Sequence, residues 1–145
     1  MADTASIAPA AAAAADHSRF VQRVRRRWPS ELALLPAGVP DFDTITALVQ
    51  RLRDGGRELP SALRVARQLG RERLAVLDVE HGAALDAITG AMTDLAEATL
   101  ELALSQAEAE ADERHGAPLD EGDQRVQMWI VGMGKLGARE LNVSS

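Results

Sequence analysis

A mainly α protein is expected from three observations. The chain is rich in alanine, leucine, arginine and glutamate, with few β-branched residues, and those abundant types lose little on entering a helix. Apolar residues recur at steps of three and four through most of the 145 residues, the spacing of one helix face. Glycine and proline fall mainly between these stretches rather than inside them. The chain is long enough for one domain, or one domain and the start of another. Its core is constrained, because much of the 46% hydrophobic content is alanine, which buries little area per residue.

The elements follow in order. Residues 1–17 read as a disordered tail. The alanine run from Ala8 to Ala15 lacks a basic flank, carries Pro9, and is too weakly apolar for a signal peptide. A first helix is expected from Ser18, a natural cap, to Trp28, with Phe20, Val21, Val24 and Trp28 on one face and Pro29 ending it. Arg19, Arg23, Arg26 and Arg27 occupy its other face and read as solvated rather than as a phosphate or partner contact. A second helix is expected from Asp41 to Arg53, with Phe42, Ile45, Leu48, Val49 and Leu52 as its stripe and Gly55-Gly56 as its stop. A third starts near Ser61, with Leu63, Ala66, Leu74 and Leu77 on one side and Gly70 interrupting the pattern. The fourth is the longest. Leu85, Ile88, Met92, Leu95, Thr99, Leu102, Gln106 and Ala109 form one stripe over roughly 45 Å of helix, closed by Gly116 and Pro118. Glu101, Glu108, Glu110, Asp112 and Glu113 read as its wet side. The helical region therefore spans 18–124, its end a polar loop over 117–124.

The pattern then changes. Val126–Val131 reads as a short buried strand, followed at once by Gly132-Met-Gly134-Lys135-Leu-Gly137. A strand and a glycine turn at the end of a chain imply that the natural protein continues, because a buried strand needs a ladder partner.

Charge and composition exclude several classes. A net charge of −6 disfavours a nucleic-acid binder, which needs a basic face. No cysteine is present, so disulfides and thiolate metal sites are ruled out. No run approaches the roughly 20 apolar residues of a membrane span, and a cytoplasmic protein is expected. His17, His81 and His115 have no ligand spacing. Arg139 and Glu140 read as a solvated pair.

The glycine motif admits three functional readings. Gly132-x-Gly134-x-x-Gly137 after a strand fits a dinucleotide-binding turn, although such a fold normally opens with that strand. A P-loop fails, because Trp129 and Leu136 stand where glycine and serine or threonine are required. A nucleotidyltransferase also feeds a strand into a glycine turn, with carboxylates on the next strand holding Mg²⁺. A plain strand-to-helix turn, with no ligand, accounts for the three glycines alone equally well.

The longer run favours the nucleotidyltransferase. Trp129-Ile-Val-Gly-Met-Gly-Lys-Leu-Gly-Ala-Arg-Glu-Leu-Asn-Val-Ser-Ser145 resembles the signature of the bacterial glutamine synthetase adenylyltransferase/adenylyl-removing enzymes, with Ala138 where the family more often has glycine. The stretch from Ala62 to Pro118 is more weakly similar to that family's helical lead-in. The resemblance implies that 125–145 begins a polymerase-β-like α/β nucleotidyltransferase domain. It implies nucleotide or phosphate binding by Gly132, Gly134, Lys135, Gly137, Ser144 and Ser145. The metal-binding carboxylates are expected just beyond Ser145, so no catalytic residue is assigned. It further implies Mg²⁺, ATP, ADP and phosphate, with glutamine synthetase and a PII regulatory protein as partners. The Asn142-Val-Ser-Ser form resembles the N-terminal copy, which removes AMP from a tyrosine by phosphorolysis. A non-catalytic helical interaction module is the alternative.

Overall fold

The computed structural model describes residues 14–143; Ser144 and Ser145, and the tail up to residue 13, lie outside the described residues. Helices α1 (Arg19–Arg27), α2 (Phe42–Asp54), α3 (Leu59–His81), α4 (Leu85–His115) and α5 (Gly134–Gly137) account for the regular structure, with 3₁₀ turns at Ala15–His17 and Glu31–Leu34. Mainly α is therefore correct.

Local sequence explains the boundaries. Ser18 caps α1 by accepting from the Val21 N–H, and Asp41 caps α2 by accepting from the Thr44 N–H at 2.8 Å. Pro60 sits in the first turn of α3, so that helix starts slightly ahead of the expected Ser61. Gly82, at φ 58, ends it in the left-handed conformation that glycine adopts freely. The described chain is already packed ahead of Ser18. Ala15 is buried, and its N–H donates to Glu80 on α3 at 3.3 Å.

Helices α2, α3 and the first half of α4 pack on one another, and α1 lies on α3. Ile45, Leu48 and Leu52 from α2 meet Val65, Leu69 and Leu74 from α3 and Ile88, Met92 and Leu95 from α4 in one buried cluster. Gly70 does not break α3. A β-carbon there would lie 3.2 Å from Leu95 Cδ2, so glycine lets α4 approach closely. Thr93 is fully buried, and its hydroxyl donates to the Thr89 carbonyl at 2.9 Å. Glu72, also buried, accepts from Arg25 Nε at 2.7 Å across α1 and α3.

Two expectations need correction. The α4 stripe is core only from Ile88 to Ala98: Leu85, the first residue of the helix, is 77% exposed, and Ala109, in the half that outruns the partner helices, is exposed as well. The buried strand at Val126–Val131 does not form, and the described residues contain no strand, only an isolated bridge between Leu119 and Arg125. Trp129 and Val131 are 77% and 78% exposed. The apolar, β-branched run has the composition of a strand, but no second strand among the described residues gives it a ladder.

Candidate functional site: the glycine turn

Met133 is extended, and Gly134–Gly137 then makes a single helical turn. The three glycines of the motif act differently. Gly134 sits at φ +57, in the left-handed region. Gly132 and Gly137 press backbone against backbone: a β-carbon on Gly137 would lie 2.5 Å from the Gly132 carbonyl oxygen. A β-carbon on Gly132 would meet Leu136 Cγ at 3.0 Å. The turn is closed by the Ala138 N–H donating to the Gly134 carbonyl at 2.9 Å and the Glu140 N–H donating to the Lys135 carbonyl at 2.8 Å. Gly132, Gly134, Lys135 and Gly137 are thus brought together on one exposed turn, while Ser144 and Ser145 lie outside the described residues.

The turn can offer an anion the first N–H groups of α5, which have no intrahelical acceptor, beside the exposed Lys135. A helix of this length contributes little macrodipole, so any anion affinity depends on those N–H groups and on the lysine cation.

What holds the turn was not legible beforehand. Arg139 is not paired with Glu140. Its Nη1 donates to both carboxylate oxygens of Glu97, at 2.9 and 2.8 Å, and its Nη2 donates to Asp94. The hydrogen bonds to Asp94 and then Glu97 raise the guanidinium pKa above its ordinary value. Arg139 is also one of two non-glycine residues among those described with positive φ, at 59°. Farther along, Arg71 on α3 donates to the Val143 carbonyl at 2.7 Å and stacks at 5.2 Å on the Phe20 ring. Leu141 and Val143 pack against the core cluster. Asp94 and Glu97 lie three residues apart on one face of α4, a spacing that could have marked them as a shared cation site.

The acids at the far end of α4 are not all free wet side. Asp112 holds Arg125 at 2.5 Å, raising its pKa, and Glu108 accepts from the Met128 N–H at 3.4 Å. Between α4 and this returning segment runs an open cleft of about 570 Å³, bordered by Phe42, Glu97, Trp129, Gly132, Leu136 and Arg139. Among the described residues there is no group of three acids or histidines able to hold a metal, and the carboxylates of Asp94 and Glu97 are taken up by Arg139.

A family model described as glutamate-ammonia ligase adenylyltransferase matches residues 10–145, the glycine turn included. The chain belongs to that family. A bifunctional glutamine synthetase adenylyltransferase/adenylyl-removing enzyme of Ralstonia nicotianae is 37% identical over 139 residues, 90% of this chain and 15% of the relative. The enzyme of the same description from Burkholderia mallei is 44% identical over 138 residues, 89% of this chain and 15% of its own length. That from Aromatoleum aromaticum is 31% identical over 146 residues, 99% of this chain and 16% of its own. The chain therefore spans about 15% of the length of these curated relatives. No solved structure matches.

Proposed function

We propose that this chain carries the helical lead-in and the phosphate-binding turn of an enzyme that controls glutamine synthetase by adding or removing AMP on a tyrosine. The carrying observation is that the match to the adenylyltransferase family takes in both the bundle and the glycine turn, from residue 10 to 145. In this reading residues 125–145 open the nucleotidyltransferase domain. Gly132, Gly134, Lys135 and Gly137 receive phosphate oxygens of ATP, ADP or inorganic phosphate, with Ser144 and Ser145 close behind. Mg²⁺ is held by carboxylates that follow Ser145. The copy is the adenylyl-removing one, acting in the cytoplasm under a PII protein and engaging neither nucleic acid nor membrane. No helix among the described residues is long and apolar enough to cross a membrane.

A helical interaction module with a stray glycine tail explains less. A stray tail has no reason to spend Arg139 and Arg71 on contacts with α4 and α3. A dinucleotide-binding domain normally opens with the strand that precedes its glycines, whereas here a helical bundle comes first.

The chain by itself is expected to release no AMP from adenylylated glutamine synthetase supplied with phosphate, Mg²⁺ and PII, since metal-bridged charge neutralisation is central to phosphoryl transfer. The residue-level test uses a chimera carrying residues 1–145 in place of the matching segment of the Ralstonia nicotianae relative. Lys135→Ala should weaken calorimetric binding of ADP and leave the fold intact. Equal affinity in two folded proteins would remove Lys135 from the site, and release of AMP by the isolated chain would refute the missing-carboxylate argument.

A further inference from the structure

The stretch from Arg139 to Val143 joins the glycine turn to Ser144 and Ser145, and both of its ends are fastened to helices. At the near end, the Arg139 guanidinium engages both oxygens of Glu97 and also reaches Asp94, on α4. At the far end, Arg71 of α3 donates to the Val143 carbonyl at 2.7 Å while its guanidinium stacks on Phe20 of α1. Leu141 and Val143 rest on the core between these points.

Two features set this apart from an ordinary surface ion pair. Exposed pairs contribute little when a single long side chain is held in one geometry. Here one guanidinium binds two carboxylates on one helix face, an arrangement in which the planar fork adds direction as well as charge. The arginine also holds a left-handed backbone, φ 59, which a non-glycine residue adopts only where surrounding contacts fix it. That conformation lets the Arg139 N–H donate to the Leu136 carbonyl at 3.1 Å while the side chain reaches α4.

We infer that Arg139 is a positioning residue, clamped by Asp94 and Glu97, and that together with Arg71 it makes the helical bundle the frame that holds the glycine turn and the segment from it to Val143. The inference rests on the phosphate-turn reading of Gly132–Gly137. The placement of the turn against the bundle is then fixed by α3 and α4, and not by the turn's own hydrogen bonds. A shift of α4 against α3 is carried directly to the phosphate site.

The test has two arms. Amide exchange is followed in the 145-residue chain without ligand, and ADP affinity is measured calorimetrically in the Ralstonia chimera. Arg139→Ala should raise exchange across Leu136–Val143 while leaving the helical melt unchanged, because the side chain lies outside the core. In the chimera it should weaken ADP binding roughly tenfold, in keeping with the sensitivity of bound groups to small misplacements. Arg139→Lys keeps the charge without the fork and should recover part of both effects. The exchanged set Asp94→Asn, Glu97→Arg and Arg139→Glu should recover more of the exchange protection than Arg139→Glu alone. Unchanged exchange in Arg139→Ala overturns the clamp. Loosened exchange with unaltered ADP affinity overturns the positioning role. A wild-type chimera that takes up no ADP overturns the phosphate reading and with it this inference. That failure is told apart from failure of the clamp, because the exchange arm contains no ligand.

Discussion

Leu69 and Trp129 are both large apolar side chains, yet one is sealed inside the bundle and the other is 77% exposed. The difference runs through the whole molecule. From α1 to the middle of α4, helices are held by aliphatic side chains that interlock along three facing stripes. From Gly116 onward, the chain is held mainly by arginines on acids and by single backbone bonds, with Leu141 and Val143 resting on the core, while Met128, Trp129, Val131 and Met133 face solvent. Burial of apolar area is non-directional and cumulative. Ion pairs fix position and add little stability when exposed. One region therefore supplies the stability and the other presents the turn.

The sharpest way to break this contrast is to truncate one apolar side chain in each region. Leu69→Ala should destabilise the protein by about 2–5 kcal/mol, the range for emptying a packed leucine site. Trp129→Ala should stay within about 0.5 kcal/mol, as surface changes do. Urea titrations followed by helical circular dichroism measure both. A Trp129 effect as large as that of Leu69 would mean that the segment is part of the cooperative core.

That division also explains what the sequence disclosed. Helices α2 and α4 and the caps at Ser18 and Asp41 were readable, because the stripe of Ile45, Leu48, Val49 and Leu52 and the short polar caps are local signals. Gly70 misled because its reason is nonlocal: only the approach of Leu95 accounts for it. The Val126–Val131 run carries the composition of a strand, but pairing depends on a partner that composition cannot supply. In the candidate site, the glycines were legible as a motif, and all four described members do share one turn. Asp94, Glu97 and Arg71 were not, since each meets its partner across 42 or more positions of chain, and the spacing of Asp94 and Glu97, although it marks a cation site, does not name the cation.

Gly137→Ala sharpens the comparison from the other side. Its β-carbon would fall 2.5 Å from the Gly132 carbonyl oxygen, well inside non-bonded contact distance, so the turn must open. No bundle atom lies within 4 Å of that β-carbon. Amide exchange at Ala138 and Glu140 should accelerate, while the urea midpoint moves by no more than an exposed substitution moves it, about 0.5 kcal/mol. Gly134→Val should act in the same place for a different reason: nothing crowds its β-carbon, but a β-branched residue is strained at φ +57. A shift of the global midpoint comparable to that of Leu69→Ala would show that the glycine turn and the bundle unfold together.

The smallest effect belongs to an exposed cap of the stable region, and pH separates it from the rest. Asp41 Oδ1 accepts from both the Thr44 N–H, at 2.8 Å, and the Thr44 hydroxyl, at 2.6 Å. The hydroxyl bond first, and the backbone bond after it, hold the carboxyl below its ordinary value. A carboxyl whose folded pKa is depressed contributes stability that is fully present above its unfolded value, about 3.9, and is lost as pH falls through the folded value. Asp41→Ala should therefore lower the melting temperature at neutral pH, and the gap to wild type should narrow in acid as the native carboxyl takes up its proton. Ser18 provides the control. It caps α1 through a hydroxyl that does not titrate, so the gap between wild type and Ser18→Ala should carry no such acid dependence. Melting curves of the three proteins from about pH 7 down to about pH 2, spanning the carboxylate range, decide the matter. An Asp41→Ala gap that stays constant while wild type passes through that range would mean that the cap acts as a neutral hydrogen-bond acceptor, and that the carboxylate charge adds nothing to the start of α2.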